Sequence, residues 1–515
     1  MTQGTAGRVG RRVGQRAGRS ARLADRARGP AQNPCPPGQI GGAYRPLSET
    51  DIRAIYAAAL DLLDRLGMGA VPERLATLLV EAGAVPGDAG RLRFPRAFVE
   101  DVVAGACQHF TFHGRDPDRS IEVGGDRVHF GTGGAAVQVL DLDTGLYRAA
   151  TLADLHDFAR LQDRLTNIAW FTRNCIATDV PDPWDLDINT AYALIAGTTK
   201  PVATAFTLAE HVAPIVAMCD IASGGEGAFS RRPWMKAHIS PVISPMRYGA
   251  DAVDVTFECI RHNLPLNCIT AAQAGATAPA PLAGFLAQSL AETLASLVMV
   301  NVIRPGHPMV FSNWPFVVDL RTGSFAGGGA ETALLNAASA QIINWLGLPS
   351  GVAAAMTDAK AIDAQYGVEK GMTSLSAGLA GANMVYESSG MTASLLGASF
   401  EAFVLDDEMH SANYRILRGI EVGPGTLDPD AIIEAVLETG HFLSAAQTMA
   451  AMERDYFYPA LADRSSPDAW AEAGATTAWE RARDKARALL AAPRPAYLTP
   501  AQDRAIRARF RILTP

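Results

Sequence analysis

Short apolar runs that end in polar residues recur along this chain at intervals of roughly 30 to 45 residues, the repeat of a strand followed by a helix. They fall at 168–174, 201–207, 235–243, 266–271, 309–313, 351–356, 382–386 and 402–405, and alanine-rich helical stretches lie between them. Eight such runs with intervening helices predict an α/β fold of the TIM type, a closed (β/α)8 barrel, in preference to an open sheet. A chain of 515 residues, 48% of them hydrophobic, can bury a core of that size and still carry appendages. In such a barrel the polar ends of the strands form the mouth at which ligands bind.

The stretches outside the repeat divide the chain. Residues 1–32 hold eight arginines against one acid, Asp25, and have too little apolar content to offset ordering by burial, so a disordered tail is expected there. Helix signals begin at Ser48, where Ser48 and Thr50 precede Asp51 and the apolar positions Ile52, Ile55, Leu60, Leu63 and Leu66 follow helical spacing until Gly67. Residues 110–143 alternate apolar and polar with glycine and aspartate turns. We therefore expect a helical and β cap over 33–150, the barrel over 151–420 and a helical extension over 421–515.

Composition narrows the function. A net charge of −8 argues against a nucleic-acid partner. The most apolar stretch, 282–302, is interrupted by Gln288, Glu292 and Asn301, so no membrane span is expected and the setting should be cytoplasmic. Six cysteines without a CxxC pair suggest reduced thiols, and histidines without HxH or HExxH spacing suggest no metal site.

The strand ends suggest the chemistry. Polar side chains collect after the sixth to eighth runs: Asp358, Lys360, Asp363, Gln365, Glu387 and Glu408. Aromatic pairs, Trp170 with Phe171 and Trp314 with Phe316, stand at the ends of the first and fifth. Large π faces at one mouth would attract an organic cation, although aromatic residues at strand ends also serve as ordinary packing. His238 ends the third run and is a candidate donor to a substrate carboxylate. The glycine-rich stretch 323–330 lacks the lysine of a phosphate-binding loop and reads as a flexible loop at the mouth. Lys200, Lys236 and Lys360 keep open a Schiff-base lyase.

Several blocks occur together in order: TDAK at 357–360, DAQYG at 363–367, LAGAN at 379–383, YESSG at 386–390 and VLDDE at 404–408. GGAAVQVLD at 133–141, TLADLHDFARLQDRLTNI at 151–168, TGHFLSAAQT at 439–448 and DYFYPALADR at 455–464 extend the set. This combination resembles the trimethylamine methyltransferase (MttB-like) family over about residues 45–490. The resemblance implies a barrel that passes a methyl group from a methylated amine to a corrinoid protein. Members acting on trimethylamine carry pyrrolysine, whereas this chain has only ordinary residues, so it is similar to the branch that uses a quaternary amine such as glycine betaine.

On that resemblance Trp170, Phe171, Trp314 and Phe316 would cradle the trimethylammonium group, and Asp358 and Glu387 would act at the catalytic centre. His238, Asn313, Arg173, Gln365 and Tyr366 would contact the rest of the substrate. Cobalamin would be presented by a partner protein and not bound by the chain alone, and a homo-oligomer is expected. The readings that compete with it are a methylamine methyltransferase with another acceptor such as tetrahydrofolate, and a betaine-binding protein without turnover.

Overall fold

The computed structural model describes residues 33–513, so the arginine-rich stretch lies outside the described residues. Its centre is a sheet of eight parallel strands: β1 (Arg127–Phe130), β2 (Phe171–Thr172), β3 (Val202–Thr204), β4 (Met235–Ile239), β5 (Leu266–Thr270), β6 (Met309–Asn313), β7 (Ser350–Ala353) and β8 (Met384–Tyr386). Neighbours run β1-β8-β7-β6-β5-β4-β3-β2, and the short strand Gln39–Ile40 adds antiparallel to β1. The register steps steadily, with Leu266 opposite Met309 and Phe311 opposite Ser350. Between the two ends of the order, the Ala169 N–H donates to the Phe130 carbonyl at 2.8 Å.

Helices follow the strands in alternation. Ahead of the sheet comes α1 (Glu49–Arg65); then α2 (Leu152–Asp163), α3 (Pro183–Gly197), α4 (Val212–Ala222), α5 (Ala250–Arg261), α6 (Leu282–Ile303), α7 (Ala330–Trp345), α8 (Ala364–Leu379) and α9 (Phe400–Leu417). As the sequence suggests, Ser48 and Asp51 form a capping box at the start of α1, and Ile52, Ile55, Leu60 and Leu63 lie on its buried face, whereas Leu66 caps the helix end and is exposed. The helix α6 is long and apolar enough to cross a membrane, yet it is buried within the fold, which makes it a core helix.

Two expected elements change place. Residues 402–405 are not a strand but part of α9, capped by the Ser399 side chain, and its buried Ala402, Phe403, Asp406, His410 and Asn413 recur at helical spacing. A four-residue apolar run carries no period of its own, so its length could not separate a strand from a turn of buried helix. The strand missing from the sheet is supplied by β1, whose residues the sequence reading assigns to the cap.

The sheet has two faces. Phe110, Phe112, Trp170, Ile269, Val310, Met384 and Tyr386 form one buried cluster, while Met235, Ala237, Cys268 and Phe311 face the helices in the main core. This is the two-residue alternation of strands. A second unit, residues 420–458, contains the short helices Pro424–Leu427, Pro429–Glu438 and Ala446–Arg454.

Candidate functional site

Along β4, Lys236 and His238 point away from the helices, and the same alternation on β8 brings in Tyr386. Beyond these strand ends lies a cavity of about 460 Å³ whose walls include Arg173, Phe206, His238, Trp314, Phe316 and Glu387. The rings are close: His238 to Trp314 5.4 Å, Trp314 to Tyr386 5.2 Å, His238 to Tyr386 5.7 Å and Trp314 to Phe316 6.4 Å between centroids. Such a set of π faces offers negative potential to an organic cation.

Glu387 directly follows β8 and is unusual in three respects. Its backbone sits at φ 60°, a region costly for a residue with a side chain. Its carboxyl is fully buried, and neither oxygen reaches a partner with hydrogen-bond geometry. A Cβ at Gly133 or Gly134 would lie 2.7 Å from those oxygens, so a side chain at either position would displace the carboxyl. Burial pushes the Glu387 pKa up to about 8, against the opposing pull of the Lys370 charge and the nearby Gly134 N–H.

The loop that carries Glu387 is fixed from behind. Asp406 of α9 accepts from the Gly390 N–H, from Lys370 Nζ and from the Tyr366 hydroxyl, each at 2.7 Å. Ser388 Oγ donates to the Gly131 carbonyl at 2.7 Å, and Ser389 Oγ lies 3.1 Å from His410 Nε2. With the surrounding backbone held this way, the strained conformation at Glu387 persists.

Beneath the cavity, Lys236 Nζ donates to Tyr386 Oη at 2.8 Å and stands over the rings of Tyr386, Phe112 and Trp170 at 4.7, 5.0 and 5.7 Å. Burial drives its pKa well below the ordinary lysine value. His238 is likewise held far below the usual imidazole range, by burial first and by Lys236 and Arg173 second, so its ring is neutral. Asp187, which accepts from His211 Nδ1 and the Thr207 hydroxyl, is the acid whose field supports Arg173.

The model of the family described as "Trimethylamine methyltransferase (MTTB)" matches residues 15–511. The chain belongs to the trimethylamine methyltransferase family. It is 29% identical over 483 residues to a glycine betaine methyltransferase of Desulfitobacterium hafniense, covering 92% of this chain and 97% of that protein. A trimethylamine methyltransferase MttB of the same species is 28% identical over 86% of this chain and 88% of its own length. One from Methanosarcina barkeri is 29% identical over 86% and 91%. The chain is accordingly a methyltransferase, and its reaction needs a methyl donor and an acceptor.

In this family member five of the residues singled out from sequence, Arg173, His238, Trp314, Phe316 and Glu387, line one cavity. Trp170 is fully buried one layer deeper, its ring 5.2 Å from that of Tyr386. Phe171 faces the opposite way, toward Phe403 of α9 at 6.5 Å, because adjacent residues of a strand alternate. Asn313 is turned to α6, where its Nδ2 donates to Ser289 Oγ at 3.1 Å. Asp358 accepts from the Gly327 and Gly328 N–H groups at 2.8 and 3.2 Å and from the Ser394 hydroxyl at 2.8 Å, clasping the glycine-rich loop. Gln365 is exposed and donates to Glu369 at 2.8 Å. Tyr366 belongs to the Asp406 anchor. Two of the remaining polar strand-end residues are structural as well: Asp363 caps α8, and Glu408 accepts from three backbone N–H groups at 460–462.

Sequence reasoning did not select Tyr386, Asn267, Ser312 or the glycine pair Gly133 and Gly134. A signal existed for Tyr386, which stands two residues after Met384 and so shares its inward face.

Proposed function

We propose that this enzyme transfers a methyl group from a small quaternary ammonium compound bearing a carboxylate, of the glycine betaine type, to the cobalt(I) of a corrinoid carried by a partner protein. The observation that carries the reading is a fully buried carboxyl without a hydrogen-bond partner, Glu387, in a cavity that also presents aromatic rings, the Arg173 guanidinium, aliphatic and hydroxyl side chains, and at its exposed edge a second acid, Asp251. The trimethylammonium group packs against Trp314 and Phe316, with Glu387 supplying negative potential. The substrate's own carboxylate turns to Arg173 and His238. In the reaction the bond between methyl carbon and nitrogen breaks, nitrogen keeps the electron pair and leaves as a neutral tertiary amine, and the methyl group is taken by the acceptor's electron pair. A permanent counter-charge would hold the ground-state cation too firmly. Glu387, with its pKa near 8, can recover a proton once the cation has gone.

The same reading takes the sheet as a closed (β/α)8 barrel, supported by the backbone bond from Ala169 to Phe130 across its two ends. It takes the Asp358-clasped loop at 323–330 as the gate through which a bulky acceptor approaches. Free thiols at all six cysteines suit a reducing, cytoplasmic setting.

The test supplies reduced cobalamin and, separately, glycine betaine, proline betaine, carnitine, choline and trimethylamine. Methylcobalamin should form from a carboxylated quaternary amine and hardly at all from trimethylamine. Formation from trimethylamine and from none of the betaines would overturn the reading, and turnover with tetrahydrofolate in place of the corrinoid would reassign the acceptor.

A further inference from the structure

His238 presents two nitrogens with different surroundings. Its Nδ1 lies 3.1 Å from Asn267 Nδ2 of β5. Asn267 Oδ1 in turn accepts from the hydroxyl of Ser312 on β6. All three side chains project to the same side of their strands, and Asn267 and Ser312 are fully buried. Ser312 also neighbours the Tyr386 hydroxyl, to which Lys236 Nζ donates at 2.8 Å.

The polarity of this chain follows from its members. An amide has one donor end and one acceptor end, and a hydroxyl that faces the acceptor end donates to it. The Tyr386 hydroxyl, which accepts from Lys236, donates to Met384 Sδ at 3.4 Å, and the Ser312 proton goes to Asn267 Oδ1. The amide NH2 then faces His238 and donates to Nδ1. A neutral imidazole that accepts at one nitrogen carries its proton on the other. The contact proposed above between His238 and the ligand's carboxylate needs a proton on the ring nitrogen that faces the cavity, because a carboxylate only accepts.

We infer that Ser312 and Asn267 are positioning residues that hold His238 in its Nε2–H tautomer, so that it meets the ligand's carboxylate in the cavity as a hydrogen-bond donor. The opposite tautomer would present a lone pair to that carboxylate and repel it. The chain is therefore a device for specificity: it favours a betaine over choline, which has the same cationic head and a hydroxyl in place of the carboxylate. The carboxylate part of this inference rests on the proposed substrate class, whereas the tautomer does not.

The experiment uses the full-length protein with 15N-labelled histidine, the His238 signals being assigned by their loss in His238→Gln. Wild type should show a protonated Nε2 and an unprotonated Nδ1 at neutral pH. Asn267→Asp offers His238 only an acceptor and should transfer the proton to Nδ1, and Ser312→Ala, a smaller change that frees the amide to turn over, should give a mixture. Glycine betaine affinity should fall about tenfold or more in Asn267→Asp, as for a hydrogen bond to a charged group, while choline affinity holds. A wild-type His238 protonated on Nδ1, or a tautomer unmoved by both substitutions, overturns the positioning role. A tautomer that reverses with betaine affinity unchanged overturns the donor role. If wild type bound no betaine at all, the substrate class would fail while the tautomer measurement still decided the positioning role.

Discussion

Glu387 concentrates the conflict between stability and function in one side chain. Its folded pKa near 8 lies above the value of about 4.3 expected in an unfolded chain. The folded state thus holds a proton that the unfolded state has released. That contribution is fully present below about pH 4 and is lost as pH rises through about 8. Glu387→Gln removes the titration and keeps the shape, so its melting temperature should exceed that of wild type at about pH 8, with the gain shrinking toward about pH 5. Equal melting curves across that range would mean that the carboxyl is not buried as described. Glu387 was legible in the sequence as a polar residue at a strand end. Its strained φ and its glycine cradle were not, because Gly133 and Gly134 lie some 250 residues earlier in the chain.

At the scale of elements, the order of strands and helices was readable because each apolar run is bounded by helical periodicity. The side of a strand on which a residue falls was not readable from the end of the run alone. Phe171 and Asn313 stand at strand ends yet face the helices, one residue out of phase with Trp170 and Ser312. The exchange of 402–405 for β1 has a related cause: four apolar residues fit either period. The two faces make opposite predictions. Trp314→Leu should weaken betaine binding by about 1 to 2 kcal/mol while costing little stability. Phe171→Ala should cost about 3 to 5 kcal/mol of stability and leave the affinity of the surviving folded protein unchanged. Calorimetric melting and betaine titration on the same two variants check both, and a destabilised Trp314→Leu with normal affinity would move Trp314 into the packing class.

Over the whole molecule, Asp358 ties the loop at 323–330 to the end of β7 through two backbone N–H groups and to Ser394 on the far side. A carboxylate at that position looked catalytic from sequence, since it follows an apolar run and joins a polar cluster. Its bonds are instead those of a clasp. Asp358→Ala should therefore raise hydrogen exchange in 323–330 with little change elsewhere in the sheet, and an unaltered exchange pattern would remove the clasp.

The central claim is that a cation enters the cavity against Glu387 and requires that side chain to ionise. With a pKa near 8, the carboxyl is mostly protonated at about pH 7, so binding a permanent cation must expel the proton. Titrating glycine betaine at about pH 7 in buffers of different ionisation enthalpy measures the protons released. The account predicts a release close to one per site, an affinity that rises about tenfold per pH unit below 8 and then levels, and neither effect in Glu387→Gln. Betaine binding without proton release, or with the same release in Glu387→Gln, would contradict it.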